Sequence, residues 1–176
     1  YPQLGYDAAK AAIDRVHGLA GAAVMDFAAD EIAMRVRTLG ASRLPATGRV
    51  VLAVNHPTGL ADGVALWRAL SLLRPDLKIL ANQDVLRIAP ALADIFIPVE
   101  WVKEKRRPAT SRRVLADVIA ALRREAAVTF FPSGRLAHLT WRGLVERPWQ
   151  PAVVTMARRR VSAEEGCGRS RGHTGR

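Results

Sequence analysis

From residue 49 onward, short apolar segments alternate with helical ones, and this alternation admits few folds. Arg49–Val54 (RVVLAV), Lys78–Ala81, Asp94–Val99 (DIFIPV) and Ala127–Phe131 (AVTFF) read as strands. Between them, Ala61–Arg74 reads as a helix, Gln83–Ala93 as a short helical region, and Pro108–Glu125 as a helix with proline in its first turn. Strands separated by helices imply right-handed crossovers and an α/β fold, a largely parallel mixed sheet flanked by helices. Pro98 has no N–H to give to a ladder, so it ends the third strand or places it at a sheet edge. Reactive groups in such sheets lie just beyond the C-terminal ends of the strands.

The region before the turn at Leu44-Pro45-Ala46-Thr47-Gly48 has a different period. Ile13, Val16, Ala20, Val24 and Phe27, then Ile32, Val36 and Leu39, recur at helical spacings. Residues 1–43 therefore read as an N-terminal helical arm, with a break near Gly18 and Gly21, where glycine weakens a helix. Its apolar stripe either packs on the domain core or lies in a membrane interface. The α/β domain is expected over residues 44–160.

Lys and Arg number 27 against 16 for Asp and Glu, a net charge of +11, which suits an anionic partner such as a phospholipid surface or nucleic acid. The body has no zinc spacing, no RNA-binding block and little clustering of aromatic with basic residues, so nucleic acid is not the expected partner. Its strongest basic patch is Lys103, Lys105, Arg106, Arg107, Arg112 and Arg113. Trp101, Trp141 and Trp149 are candidate interfacial anchors, although tryptophan is as readily a core or rim residue. The single cysteine, Cys167, leaves no cysteine-based metal site and fits a reducing cytoplasm. No segment reaches the roughly 18 apolar residues that span a bilayer.

The first strand runs into Asn55-His56-Pro57-Thr58-Gly59-Leu60-Ala61-Asp62-Gly63. The strand delivers His56 to the edge of the sheet, Pro57 and Gly59 force a turn, and Asp62 falls in the first turn of the next helix, where a carboxylate is favoured. Folded back onto the imidazole, Asp62 fixes its tautomer and leaves the other ring nitrogen as a general base. No serine lies in a nucleophile-elbow pattern, which favours direct transfer over a covalent enzyme intermediate. A histidine and a nearby aspartate can equally just satisfy a turn. His17, His138 and His173 lack comparable context.

This block resembles the first block of the glycerolipid (lysophosphatidic acid-type) acyltransferases, with five rather than four residues between His56 and Asp62. In that respect it is more similar to the putative-hemolysin-like and ornithine-lipid branch. Phe130-Phe131-Pro132-Ser133-Gly134-Arg135 resembles the family's third block, and Lys78–Val99 the approach to the second. The resemblance covers about residues 40 to 156. It implies transfer of a fatty acyl group from acyl-CoA or acyl carrier protein, as co-substrate rather than cofactor, to a lysolipid-type hydroxyl or amine. The implied catalytic pair is His56 and Asp62, with substrate-binding groups at Asn55, Thr58, Gly59, Ser133, Gly134 and Arg135 and no metal. It also implies peripheral attachment to an anionic membrane, on the cytoplasmic face of the cell membrane.

Two departures bear on the substrate. Where the second block ends in a phosphate-binding arginine, this chain has Ile97-Pro98-Val99-Glu100; in the third block Ser133 replaces glutamate and Arg135 stands at the threonine position. They imply an acceptor other than glycerol-3-phosphate, and leave open an impaired relative that only binds lipid or carrier protein. Gly134 lets a ligand approach the backbone, and Arg135 supplies a planar cationic fork for an anionic head group. Pro148–Met156 reads as the start of a helix continuing to Arg160. Residues 161–176, rich in Arg, Gly and Ser, read as a disordered basic tail in place of a further strand, as in a truncated or frameshifted domain.

Overall fold

The computed structural model describes residues 6–32, 35–100, 102, 104 and 107–150. The expected tail at 161–176, Trp101, Lys103, Lys105 and Arg106 lie outside the described residues, as does most of the helix expected from Pro148.

The chain opens with two helices, α1 (Tyr6–Val16) and α2 (Gly21–Glu31), and the break between them falls at Gly18, whose φ is +84°. There follow β1 (Val50–Ala53), α3 (Leu60–Leu70), β2 (Lys78–Asn82), the single turn α4 (Val85–Ile88), a 3-10 segment Pro90–Asp94, β3 (Phe96–Val99), α5 (Pro108–Arg123) and β4 (Ala127–Phe130). Two short strands, β5 (His138–Thr140) and β6 (Gly143–Val145), close the described chain.

All four main strands are parallel, in the order β1-β4-β2-β3, and the antiparallel β5–β6 pair forms a separate ribbon. The expected α/β fold is therefore present, with its antiparallel component outside the main sheet. β3 is an edge strand, and Pro98 sits opposite Ala81 in its register, in the position an edge permits.

Period-two alternation sends successive side chains to opposite faces of the sheet. Ile79, Phe96 and Ala127 pack on one face with Val64 and Trp67 of α3 and with Val24, Met25 and Ala29 of α2. Leu80, Ile97, Val128 and Phe130 pack on the other with Val118, Ala121 and Leu122 of α5. The apolar stripe of α2 thus enters the core. Its approach is close: a Cβ on Gly21 would stand 2.6 Å from the carbonyl oxygen of Ala91, so only glycine fits. Trp67 Nε1 donates to Asp26 at 2.9 Å, fixing α3 against α2.

α3 ends at Leu70 and not at the expected Arg74: residues 71–73 continue as a turn, and Pro75 disfavours helical backbone at Arg74 itself. Arg74 is fully buried and gathers three connections at the N-terminal edge of the sheet, those leading into β1, β2 and β4. It donates to both carboxylate oxygens of Asp76 at 2.8 and 2.7 Å and to the carbonyls of Pro45, Gly48 and Glu125 at 2.9, 2.8 and 2.9 Å. Glu125, left-handed at φ +62°, forms the turn from α5 into β4. The hydrogen bonds and charge of Asp76 raise the Arg74 pKa, and those of Arg74 hold the Asp76 carboxyl below its usual range against the opposing effect of burial.

Candidate active site

The parallel ladder between β1 and β4 continues one step past the strand, where Val54 N–H donates to the Phe130 carbonyl at 3.0 Å. Two residues later the chain presents His56, buried, on the face shared by Val50, Leu52 and Val54. Phe131, at the end of the neighbouring strand, stacks on the imidazole with ring centroids 4.3 Å apart. Neighbouring strand ends thus hold the ring from one side.

Asp62 holds it through its acidic edge. His56 Nδ1 lies 3.0 Å from Asp62 Oδ2, and the same oxygen accepts from Thr58 N at 3.0 Å and Gly59 N at 2.9 Å, while Oδ1 accepts from the Thr58 hydroxyl. The local sequence dictates this. Asp62 is the third residue of α3, one turn from the N-cap Gly59, so its side chain reaches back to the N–H groups of Gly59 and of Thr58 just before the helix. The turn needs Gly59, whose φ is +84° and on which a Cβ would meet Leu136 Cδ2 at 3.1 Å. A carboxylate held by four donors has one orientation, and it gives the imidazole one orientation too.

The backbone of His56 is fixed from across the chain. Its carbonyl accepts from Ala137 N at 3.0 Å, and its N–H donates to Glu146 Oε1 at 3.1 Å. The segment after β4 and the end of the β5–β6 ribbon therefore strap down the His56 loop. Glu146 is a site residue that the sequence did not suggest, since ninety positions separate it from its partner.

Beneath His56 lies a cavity of about 460 Å³. Leu60, Ile79, Val85, Ile88, Phe96 and Phe131 make it apolar, Gly59 and Gly63 keep the α3 wall open, and Asn82, Asp84 and Arg135 add polar groups. Of the residues singled out in the sequence, His56, Gly59 and Arg135 line it, and Asp62 and Thr58 act through the His56 loop. Asn55 is exposed beside the histidine and does not line the cavity. Ser133 is buried, its hydroxyl donating to the Arg135 carbonyl at 2.8 Å, and Gly134, at φ +58°, donates its N–H to Phe131 O at 2.9 Å. Both shape the turn that presents Arg135. At the second-block position, Glu100 accepts from Gln83 Nε2 at 2.7 Å, so a carboxylate occupies the end of β3. Among the described residues no cluster of histidine, cysteine and carboxylates could hold a metal ion.

A parallel sheet that carries a histidine–carboxylate pair at its C-terminal edge, over an apolar cavity, has the architecture of an α/β enzyme. The family model described as Acyltransferase matches residues 35–163, most of the chain, and the protein belongs to that family: it is an acyltransferase. Comparison with curated proteins and with solved structures gives no match.

Proposed function

We propose that the protein transfers a fatty acyl group from an acyl-CoA or acyl carrier protein thioester to a lysolipid-type hydroxyl or amine, with His56 as general base. The observation that carries this is the His56 Nδ1–Asp62 Oδ2 contact of 3.0 Å at the wall of an apolar cavity of about 460 Å³. With Nδ1 committed to Asp62, the acceptor proton passes to Nε2 as the acceptor oxygen or nitrogen attacks the thioester carbonyl. Asp62 stabilises the imidazolium so formed. Collapse of the tetrahedral intermediate breaks the C–S bond, and the departing thiolate takes the proton from Nε2, leaving an ester or amide and a free thiol. The described cavity lining contains no serine, threonine or cysteine, which favours direct transfer over an acyl-enzyme.

The apolar cavity takes the acyl chain, and Arg135 at its wall faces the polar part of donor or acceptor. Glu100 at the end of β3 opposes a terminal phosphate there, so the preferred acceptor lacks one. The protein works peripherally at a membrane on the cytoplasmic side; among the described residues no helix is long and apolar enough to cross a bilayer. The test incubates the purified chain with labelled acyl-CoA or acyl carrier protein and competing lysolipids, reading products by mass spectrometry. Acylation of a phosphate-free acceptor in preference to lysophosphatidic acid is expected. Lysophosphatidic acid as the best acceptor would contradict the assignment of Glu100.

A further inference from the structure

Among the described residues the β5–β6 ribbon is the most exposed apolar element outside the site. Its register sets Leu139 opposite Leu144, so both side chains share one face, and they are 82% and 54% exposed. Trp141, in the turn between the strands, is 87% exposed with the Arg142 guanidinium 4.4 Å above its ring. Two strands of three residues with no core behind them are marginal in water, and this apolar face adds to that cost.

We propose that the ribbon inserts into the interface of an anionic phospholipid bilayer and so sets the cavity mouth against the membrane. The proposal rests on the lipid-acyltransferase reading above and names the element that docks. Its charge fits an anionic surface. Ala126 to Val145 contains no acidic residue, and Glu146, which follows β6, accepts from the His56 N–H; Arg135, Arg142 and Arg147 lie in or beside the ribbon. α5 enters at the same edge of the sheet with Arg107, Arg112 and Arg113 exposed. A tryptophan with an arginine over its ring places an amphipathic indole and a cation together, the combination favoured at the level of lipid head groups. The ribbon is also joined to the site. Leu136, two residues before β5, lines the cavity with Leu60 and Ile88, all three partly open to solvent, and Ala137 N–H holds the His56 carbonyl. Insertion of the ribbon therefore brings this apolar rim to the lipid surface, and a lysolipid reaches His56 without its chain crossing water.

Two measurements on the full chain test this. In flotation with phosphatidylglycerol/phosphatidylcholine vesicles, the Leu139→Ser/Trp141→Ser variant is expected to bind about tenfold or more weakly than wild type, given the apolar area removed from the interface. Binding of the wild type should fall with salt and on pure phosphatidylcholine. Trp141→Phe, which keeps the apolar character, should still bind while losing most of the fluorescence quenching that brominated lipids impose on the wild type. Equal flotation of the double variant, quenching unchanged in Trp141→Phe, or a ribbon-dependent dimer that ignores vesicles would each overturn the proposal. His56→Ala should bind vesicles like wild type, so a failure of the acyl-transfer reading would leave this result standing and be recognised separately.

Discussion

Residue by residue, the site depends on His56 and Asp62 and also on the groups that remove their freedom. Thr58 and Gly59 spend both backbone N–H groups on Asp62, Phe131 covers the ring, and Glu146 and Ala137 clamp the backbone. Glu146 is a positioning residue, since its carboxylate reaches the His56 N–H and not the ring. Glu146→Ala is expected to lower kcat about ten- to a hundredfold, the scale set by a small misplacement of a catalytic group, with little change in KM for the donor. Glu146→Gln keeps an oxygen acceptor and should recover most of the loss. An equal loss in both variants, measured by steady-state kinetics, would mean that the negative charge matters and the hydrogen bond does not. The His56–Asp62 pair was legible in the sequence because helix geometry fixes where a third-position carboxylate reaches. Glu146 and the Phe131 stack were not, since both depend on which strands become neighbours.

At the scale of elements, the four sheet strands were legible to within about two residues because a buried parallel strand needs an unbroken apolar run. One element was missed and one reading differs at its described residues, each for an identifiable reason. The β5–β6 ribbon escaped notice because three-residue strands carrying His138, Thr140 and Arg142 nearby show no apolar run. Residues 148–150, read as the start of a helix, are irregular, and Gln150 N–H instead donates to the Pro132 carbonyl at 2.9 Å. Arg74, read as a helix end, is the clamp between elements. Because Asp76 titrates below its usual range when folded, its contribution is present above the unfolded value of about 3.9 and is lost as pH falls through the lower folded value. Thermal melts of wild type and Asp76→Asn should therefore differ at pH 7 and converge as pH drops below about 4. A constant difference across that range would show that Asp76 acts through packing and not through its charge.

For the molecule as a whole, sheet, strap and cavity serve one arrangement. The parallel sheet brings the ends of β1 and β4 together, which sets His56 against Phe131; the same edge opens onto the apolar cavity and leads into the exposed ribbon. Family membership establishes acyl transfer, and the His56–Asp62 contact supports the proposal that His56 is the base. The decisive measurement is the turnover of labelled thioester to acylated lysolipid by purified wild type and by His56→Ala, with circular dichroism confirming that both are folded. The account predicts a loss of about a hundredfold to ten-thousandfold in the variant, the share of a general base. Full activity in folded His56→Ala would contradict it.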